Sequence, residues 1–409
     1  MAYTCDLAGN RTQLSESDGS VTTWGYDASG RLVTDQKQDA EANIVYGNTY
    51  VYDALGNRTS HTSLNGVTTY QYNGLNQLCM VQYPNGNQVT YTYDGNGNRT
   101  AKSEGGNILQ AYAYDFENHM VQASGPNGIL GTYYYNADGL RIAKVTAAGT
   151  VGFIYDAMKL LQEVGATGQT TATYTSTGGR PESRLLGIAN SAGSHVPLTD
   201  ALGSVRLLLD SGQSVSDGYV YEAFGRQVSR SGQTPNPYHF VGAYGYYQDW
   251  ETGLQLLTAR YYDAEVGRFV TRDPIGFGGG DWNIYGYVRN RPVNKVDPSV
   301  LSFSSLICLF GCIPFGELYS ECEDVCDTCN SFAELGEKMK VIIAQRHRCQ
   351  HPTSDDDCLA CQGREAIFLG ACSHCCNAFH AGEPNDIPLD ACNKKCEDSS
   401  KNHPCPPKP

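Results

Sequence analysis

Sulfur is where this sequence concentrates its reactive side chains. Of 16 cysteines in 409 residues, only Cys5 and Cys79 precede residue 302, and the other 14 crowd the last 108 residues. Cys326-x-x-Cys329, Cys358-x-x-Cys361 and Cys372-x-x-Cys375 have zinc-ligand spacing, with His347, His351, His374 and His380 available to complete tetrahedral sites. The alternative chemistry is oxidation. Cys322, Cys326 and Cys329 fall at i, i+4 and i+7 on one face of an expected helix over 315–344. Cys358, Cys361, Cys372, Cys375 and Cys376 lie close to one stripe of a second helix, and Cys392 with Cys396 begin a third. Helices zippered by disulfides in an oxidising compartment are the preferred reading, with Cys308, Cys312, Cys349 and Cys405 completing an even pool. His374 and His380 beside Cys375 and Cys376 could also serve a thiol nucleophile, although surface histidines are far commoner. The segment contains no Gly-x-Ser-x-Gly, no His-Glu-x-x-His and no phosphate loop.

The surrounding composition limits what this segment can do. Residues 302–409 carry 16 acidic and 9 basic side chains, a net charge of −7, and the whole chain carries −14. A surface built to neutralise phosphates needs the opposite sign, so nucleic acid is disfavoured as a partner. The longest apolar run, 300–315, has 16 residues against the roughly 20 that a spanning helix requires, which favours a buried segment. The N-terminus shows no basic-plus-apolar signal peptide. The first 300 residues differ from the tip: they are rich in Gly and Tyr and poor in charge, as suits many short strands joined by tight turns.

Those strands are written as a repeat. Tyr50-Val51-Tyr52-Asp53-Ala54-Leu55-Gly56-Asn57-Arg58 returns as Tyr91-Thr92-Tyr93-Asp94-Gly95-Asn96-Gly97-Asn98-Arg99. Further copies centre on Asp6, Asp27, Asn73, Asp115, Asn136 and Asp156, at spacings of 20 to 26 residues. In a strand, Tyr50 and Tyr52 point to the same face. Asp53 can accept a bond from the backbone two residues on, and Gly56 permits positive φ, so each unit reads as strand, turn, strand. One hairpin is marginal, whereas stacked hairpins cover one another's edges. The tyrosines are read as structural, with a carbohydrate-binding aromatic ladder as the rival.

These units resemble the YD repeats of RHS proteins, toxin-complex C subunits and teneurins, over about residues 3–165. Three later segments resemble the RHS repeat-associated core. They are Leu198-Thr199-Asp200-Ala201-Leu202-Gly203-Ser204-Val205-Arg206, Tyr219-Val220-Tyr221-Glu222-Ala223-Phe224-Gly225, and a long stretch over 238–301. The last includes Ala259-Arg260-Tyr261-Tyr262-Asp263, Arg272-Asp273-Pro274-Ile275-Gly276 and Asn283-Ile284-Tyr285-Gly286-Tyr287. The expected architecture is mainly β: a YD-repeat sheet over 1–165, its continuation over 166–237, a core plug over 238–301, and a small α-helical cysteine-rich tip over 302–409.

The resemblance also implies self-cleavage. In that family the core cuts the chain after a Pro-x-x-x-x-Asp-Pro-x-Gly-Leu sequence, a place held here by Pro292 to Leu301, so the expected bond is Leu301-Ser302. Two aspartates a few Å apart can share a proton, one activating water while the other protonates the leaving group. Asp273 and Asp297 are the candidates, with Arg272 tuning their charge and Asp281 in reserve. Val300 stands where the family usually has Gly, and a β-branched residue fits a positive-φ turn only with strain.

The function implied is the C-terminal part of an RHS polymorphic toxin that delivers a variable effector tip between competing bacteria. Expected partners are a cognate immunity protein and upstream shell or secretion-spike proteins; the expected location is secreted or cell-surface. The rivals are a cell-surface adhesive protein that binds carbohydrate and a displaced, non-functional fragment, since eight repeats are too few to close a cocoon. No cofactor is expected, apart from zinc in the tip under the alternative reading.

Overall fold

The computed structural model describes residues 1–297. The tip cysteines and histidines, Val300 and the Leu301-Ser302 bond lie outside them.

Tyr-rich alternation produces strands, and the turn residues fold each strand back on the previous one. Twenty-two strands, from Ala2–Cys5 to Gln227–Ser231, form one antiparallel sheet in which each strand pairs with the next along the chain. The sheet passes without a break through the Thr/Gly-rich stretch 166–179, where Thr170–Ser176 is a strand. Alternation assigns the faces: in the strand Ile44–Tyr52, Tyr46, Asn48 and Tyr50 are buried while Val45 and Val51 are exposed.

The turns follow the expected chemistry. Asp53 Oδ1 accepts the backbone N–H of Leu55 at 2.9 Å and of Asn57 at 2.8 Å, and Gly56 takes φ +75°. The same double acceptance recurs at Asp6, Asp27, Asn73, Asp115 and Asn136. Asp156 departs from the pattern. It pairs directly with Lys159 around the two-residue turn Ala157-Met158, which leaves no room for the four-residue loop. Asp39, which the repeat spacing passes over, makes the full turn at the opposite end of its strand, accepting from Glu41 and Asn43.

A second device ties each hairpin to its predecessor. The second tyrosine of the pair donates its hydroxyl to the carbonyl of the residue five places after the previous turn aspartate or asparagine. Examples are Tyr26 to Arg11 (2.6 Å), Tyr52 to Leu32 (2.8 Å), Tyr114 to Arg99 (2.9 Å), Tyr135 to Met120 (2.9 Å) and Tyr155 to Arg141 (2.9 Å). Tyr52→Phe and Tyr135→Phe should each lower stability by about 1 kcal/mol in urea denaturation, the net worth of one such hydrogen bond. A change below about 0.3 kcal/mol in both would show that water replaces the hydroxyl at no cost.

The sheet curls until its beginning meets its end. Asp35 Oδ2 accepts from Ala223 N at 2.8 Å, Tyr46 Oη donates to Tyr221 O at 3.3 Å, and Arg206 bridges to Glu16 at 3.0 Å. Residues 238–297 fill the concave side, where Tyr247–Asp249, Leu254–Leu257, Arg260–Asp263 and Arg268–Phe269 make a small second sheet. Aromatic side chains of the sheet pack directly against this core: Tyr174 lies edge-on to Tyr238, Phe153 edge-on to Tyr247, and Tyr133 beside Tyr261. Tyr50, Tyr91, Tyr112 and Tyr133 are all buried, so the ladder that a sugar would need is covered by the chain's own core.

Charge fixes the docking. Five residues after successive turn residues come Arg11, Leu32, Arg58, Leu78, Arg99, Met120 and Arg141, an alternation of cation and hydrocarbon. Leu32, Leu78 and Met120 are buried outright. Arg99 pairs with Asp263 at 2.8 Å, Arg141 with Asp249, and Arg11 donates to Val293 O. Arg58 lies over the rings of Tyr50 (4.7 Å) and Phe224 (4.2 Å).

Candidate active site in the core

Arg260 begins the strand Arg260–Asp263 of the small sheet, and all four residues of that strand are buried. Its guanidinium sits 3.7 Å from the centroid of the Phe269 ring. One nitrogen, Nη2, reaches Asp273 Oδ2 at 3.2 Å and Asp297 Oδ2 at 3.6 Å. The two aspartates singled out from the sequence therefore meet on a single cation. Burial pulls the Arg260 pKa below its ordinary value, and the two carboxylates oppose that shift.

Backbone contacts hold both acids in place. Asp273 N donates to Ile284 O at 2.8 Å, and its Oδ1 accepts from Ile275 N at 3.0 Å, so the Asp-Pro-Ile-Gly turn aims the other carboxylate oxygen at Arg260. Asp297 N donates to Tyr246 Oη at 3.1 Å, and that hydroxyl also lies 3.2 Å from Asp297 O. Tyr246 and Tyr287 are buried side by side with hydroxyls 3.1 Å apart, and burial, reinforced by Asp297, pushes the Tyr246 hydroxyl well above the usual phenol range. It is thus a donor, not a base.

Arg272 lies elsewhere. It is exposed, and its Nε sits where a Cβ on Gly97 would come within 2.7 Å, beside Tyr285. Asp281 holds the turn into Asn283, accepting from Asn283 N at 2.9 Å, and burial raises its carboxyl pKa. Arg260 is the residue that sequence reasoning missed. The signal available was an arginine inside Ala259-Arg260-Tyr261-Tyr262-Asp263, a segment otherwise apolar enough to be buried.

A cavity of about 740 Å³ opens beside these groups. Arg260 and Asp273 lie in one wall, and the turns Gly74–Gln77 and Asp94–Asn98 form the other. Farther along, Asp115, Glu117 and His119 bring ligand-type atoms within 4.8 Å of one another. Asp115 is already the turn acceptor for Glu117 N and His119 N, and His119 Nδ1 reaches its other oxygen at 3.2 Å, so the cluster serves the turn. Among the described residues, no helix is long and apolar enough to cross a membrane.

The chain is similar to several known proteins. The chain is 32% identical over 170 residues to the double-stranded DNA deaminase toxin A of Burkholderia cenocepacia (strain H111), a match covering 37% of this chain and 12% of that protein. It is 30% identical over 163 residues to the tRNA3(Ser)-specific nuclease WapA of Bacillus spizizenii, covering 38% of this chain and 7% of that one. The chain thus spans only a small fraction of these relatives. A solved structure of the TcdB2-TccC3 complex aligns with 73% of this chain and 20% of its own, at 19% identity and a TM-score of 0.38. The family model of the teneurin YD-shell matches residues 6–292, so the chain belongs to that family and is an RHS/YD-repeat protein.

Proposed function

We propose that this chain is a shell segment of an RHS-type toxin, and that its core cuts the chain after Leu301 to free residues 302–409 as the effector. The observation that carries the reading is the meeting of Asp273 and Asp297 on Arg260. With one proton held by the pair, the Asp-Arg-Asp group is neutral and suited to a buried site. The ionised carboxylate takes a proton from water as that water attacks the Leu301 carbonyl, and the protonated one delivers its proton to the departing Ser302 amine. Arg260 holds both acids on one nitrogen and acts through them as a positioning residue. Supporting the toxin assignment are relatives whose names describe a deaminase toxin and a nuclease. An immunity protein for the tip and further shell or delivery components follow as proposed partners, and secretion or surface display as the proposed location.

Intact mass and SDS-PAGE of the full chain provide the test, with wild type beside Asp273→Asn, Asp297→Asn and Arg260→Lys. Wild type should split at Leu301-Ser302 and both asparagine variants should stay whole. Arg260→Lys keeps the charge but loses the planar guanidinium that packs on Phe269 and holds Nη2 between the two carboxylates, so it should slow cleavage and shift its pH profile. An uncut 44.5 kDa chain in wild type would overturn self-cleavage.

A further inference from the structure

The largest aromatic surface left open on the core lies at the mouth of the cavity. Trp282 is 76% exposed and Phe277 64%, with ring centroids 5.7 Å apart and planes inclined by 46°. Both border the cavity of about 740 Å³, a volume within the range of small-molecule sites. Large aromatics left so open are costly unless something covers them.

The facing wall is of a different character. Three successive repeat turns bring the side-chain amides of Asn76, Gln77, Asn96, Asn98 and Asn118 to one surface. Neighbouring bonds fix the planes of these amides: Asn118 Oδ1 accepts from Asn98 Nδ2 at 2.8 Å and from Asn96 Nδ2 at 3.0 Å, and Asn76 Oδ1 accepts from Asn57 Nδ2 at 2.9 Å. The turn N–H groups of Asn76, Gly97 and Asn118 are spent on the carbonyls of Asn73, Asp94 and Asp115. Asn98 and Gln77 are buried and spend their amides on Asp94, Asn118, Asn73 and Tyr285, so a ligand on this wall meets the outward amides of Asn76, Asn96 and Asn118, held in plane by those bonds, in place of a backbone edge. Charge is mixed, with Arg260 and Arg272 set against Asp94, Asp273 and Glu117.

Side-chain amides and a tilted aromatic pair lining one cavity, with charges of both signs present, fit one ligand chemistry closely. A pyranose ring offers hydroxyls that donate and accept around its rim and an apolar C–H face that packs on an aromatic ring. An extended peptide would seek a free backbone edge, which these turns do not present. We infer that the cleft between Trp282–Phe277 and the Asn76–Asn96–Asn118 wall binds a neutral oligosaccharide. The inference does not depend on self-cleavage, because neither aromatic belongs to the Asp-Arg-Asp group.

The experiment uses the full chain on an array of neutral oligosaccharides, followed by titration calorimetry with the strongest hit and acrylamide quenching of tryptophan fluorescence. Wild type should bind at least one neutral oligosaccharide, and the sugar should shield a tryptophan from acrylamide. Trp282→Ala should weaken binding by about tenfold or more, abolish that shielding and leave the cleavage pattern unchanged; Phe277→Ala should weaken binding less. Three results overturn the inference. One is an array without neutral hits, together with a Trp282 already shielded in the free chain, which would mean that residues beyond 297 fill the cleft. The second is sugar binding that survives the Trp282→Ala, Phe277→Ala double variant. The third is Trp282-dependent binding to phosphatidylcholine vesicles with no sugar response, which would make the aromatic pair a lipid contact.

Discussion

Asp249→Ala should destabilise the protein by about 3–5 kcal/mol, the expected cost of removing one member of a buried ionic group. Asp249 is fully buried and receives Arg141, whose side chain is only 1% exposed, and Lys144 at 2.9 Å. Both cations push its carboxyl below the usual range in spite of burial. Without Asp249, Arg141 stays buried among Tyr133, Phe153 and Tyr247 with its charge uncompensated, whereas Lys144 retains Glu251 at 3.3 Å. Urea denaturation followed by tryptophan fluorescence reads the loss. Adding Arg141→Met to Asp249→Leu should recover most of it, since a hydrocarbon pair of similar volume carries no desolvation cost. A single-variant loss under about 1 kcal/mol would show that water enters to solvate Arg141.

Asp35 should make stability fall as pH rises from about 4 to about 7, by as much as about 4 kcal/mol. Burial, helped by Glu222, pushes its carboxyl up from 3.8 to about 7, against the bonds from Ala223 N, Tyr46 Oη and Trp24 Nε1. The sign follows from linkage: a raised folded-state pKa contributes stability that is complete below the unfolded value and is lost as pH climbs through the folded one. His61 and His239 act in the opposite sense, since burial lowers them to about 4 and about 3, and stability is lost as acid charges them. Around Asp35, Glu222 is paired with Arg226, and Glu16 with Lys37 and Arg206. The difference in slope between wild type and Asp35→Asn isolates this carboxyl, whatever the substitution costs at every pH. Parallel curves for the two between pH 4 and 7 would mean that Asp35 is ionised throughout.

The repeat was legible because its causes are local. An aspartate that bonds its own backbone, a glycine at positive φ and alternating tyrosines need no knowledge of the rest of the fold, and they yielded the strands, the turns and the buried face. The candidate site divided along the same line. Asp273 and Asp297 were found through a resemblance in sequence, but their cation was not, because Arg260 reaches partners 13 and 37 residues away by tertiary packing alone. Arg272, expected to tune their charge, is the sequence neighbour of Asp273 but does not share its surroundings. Adjacent residues of an extended segment point to opposite sides, and so Arg272 turns to Gly97 and Tyr285 while Asp273 turns to Arg260. The alternation of Arg and Leu or Met after the turns was present in the sequence, but only the docked core gives it meaning.

That alternation sets a unit of evolutionary change. A hairpin's hydrogen bonds reach only its neighbours, so the sheet alone could gain or lose one repeat at a time. The docking arginines recur at every second repeat, at Arg11, Arg58, Arg99 and Arg141. Deleting one repeat would set a leucine opposite Asp263 or Asp249 and bring an arginine into a hydrocarbon slot, two errors from one event, whereas deleting two restores the match. Lineages of this shell should therefore differ in length between docked positions by about 42 residues rather than about 21. The core acts as a gauge, passing chains whose repeats change in pairs.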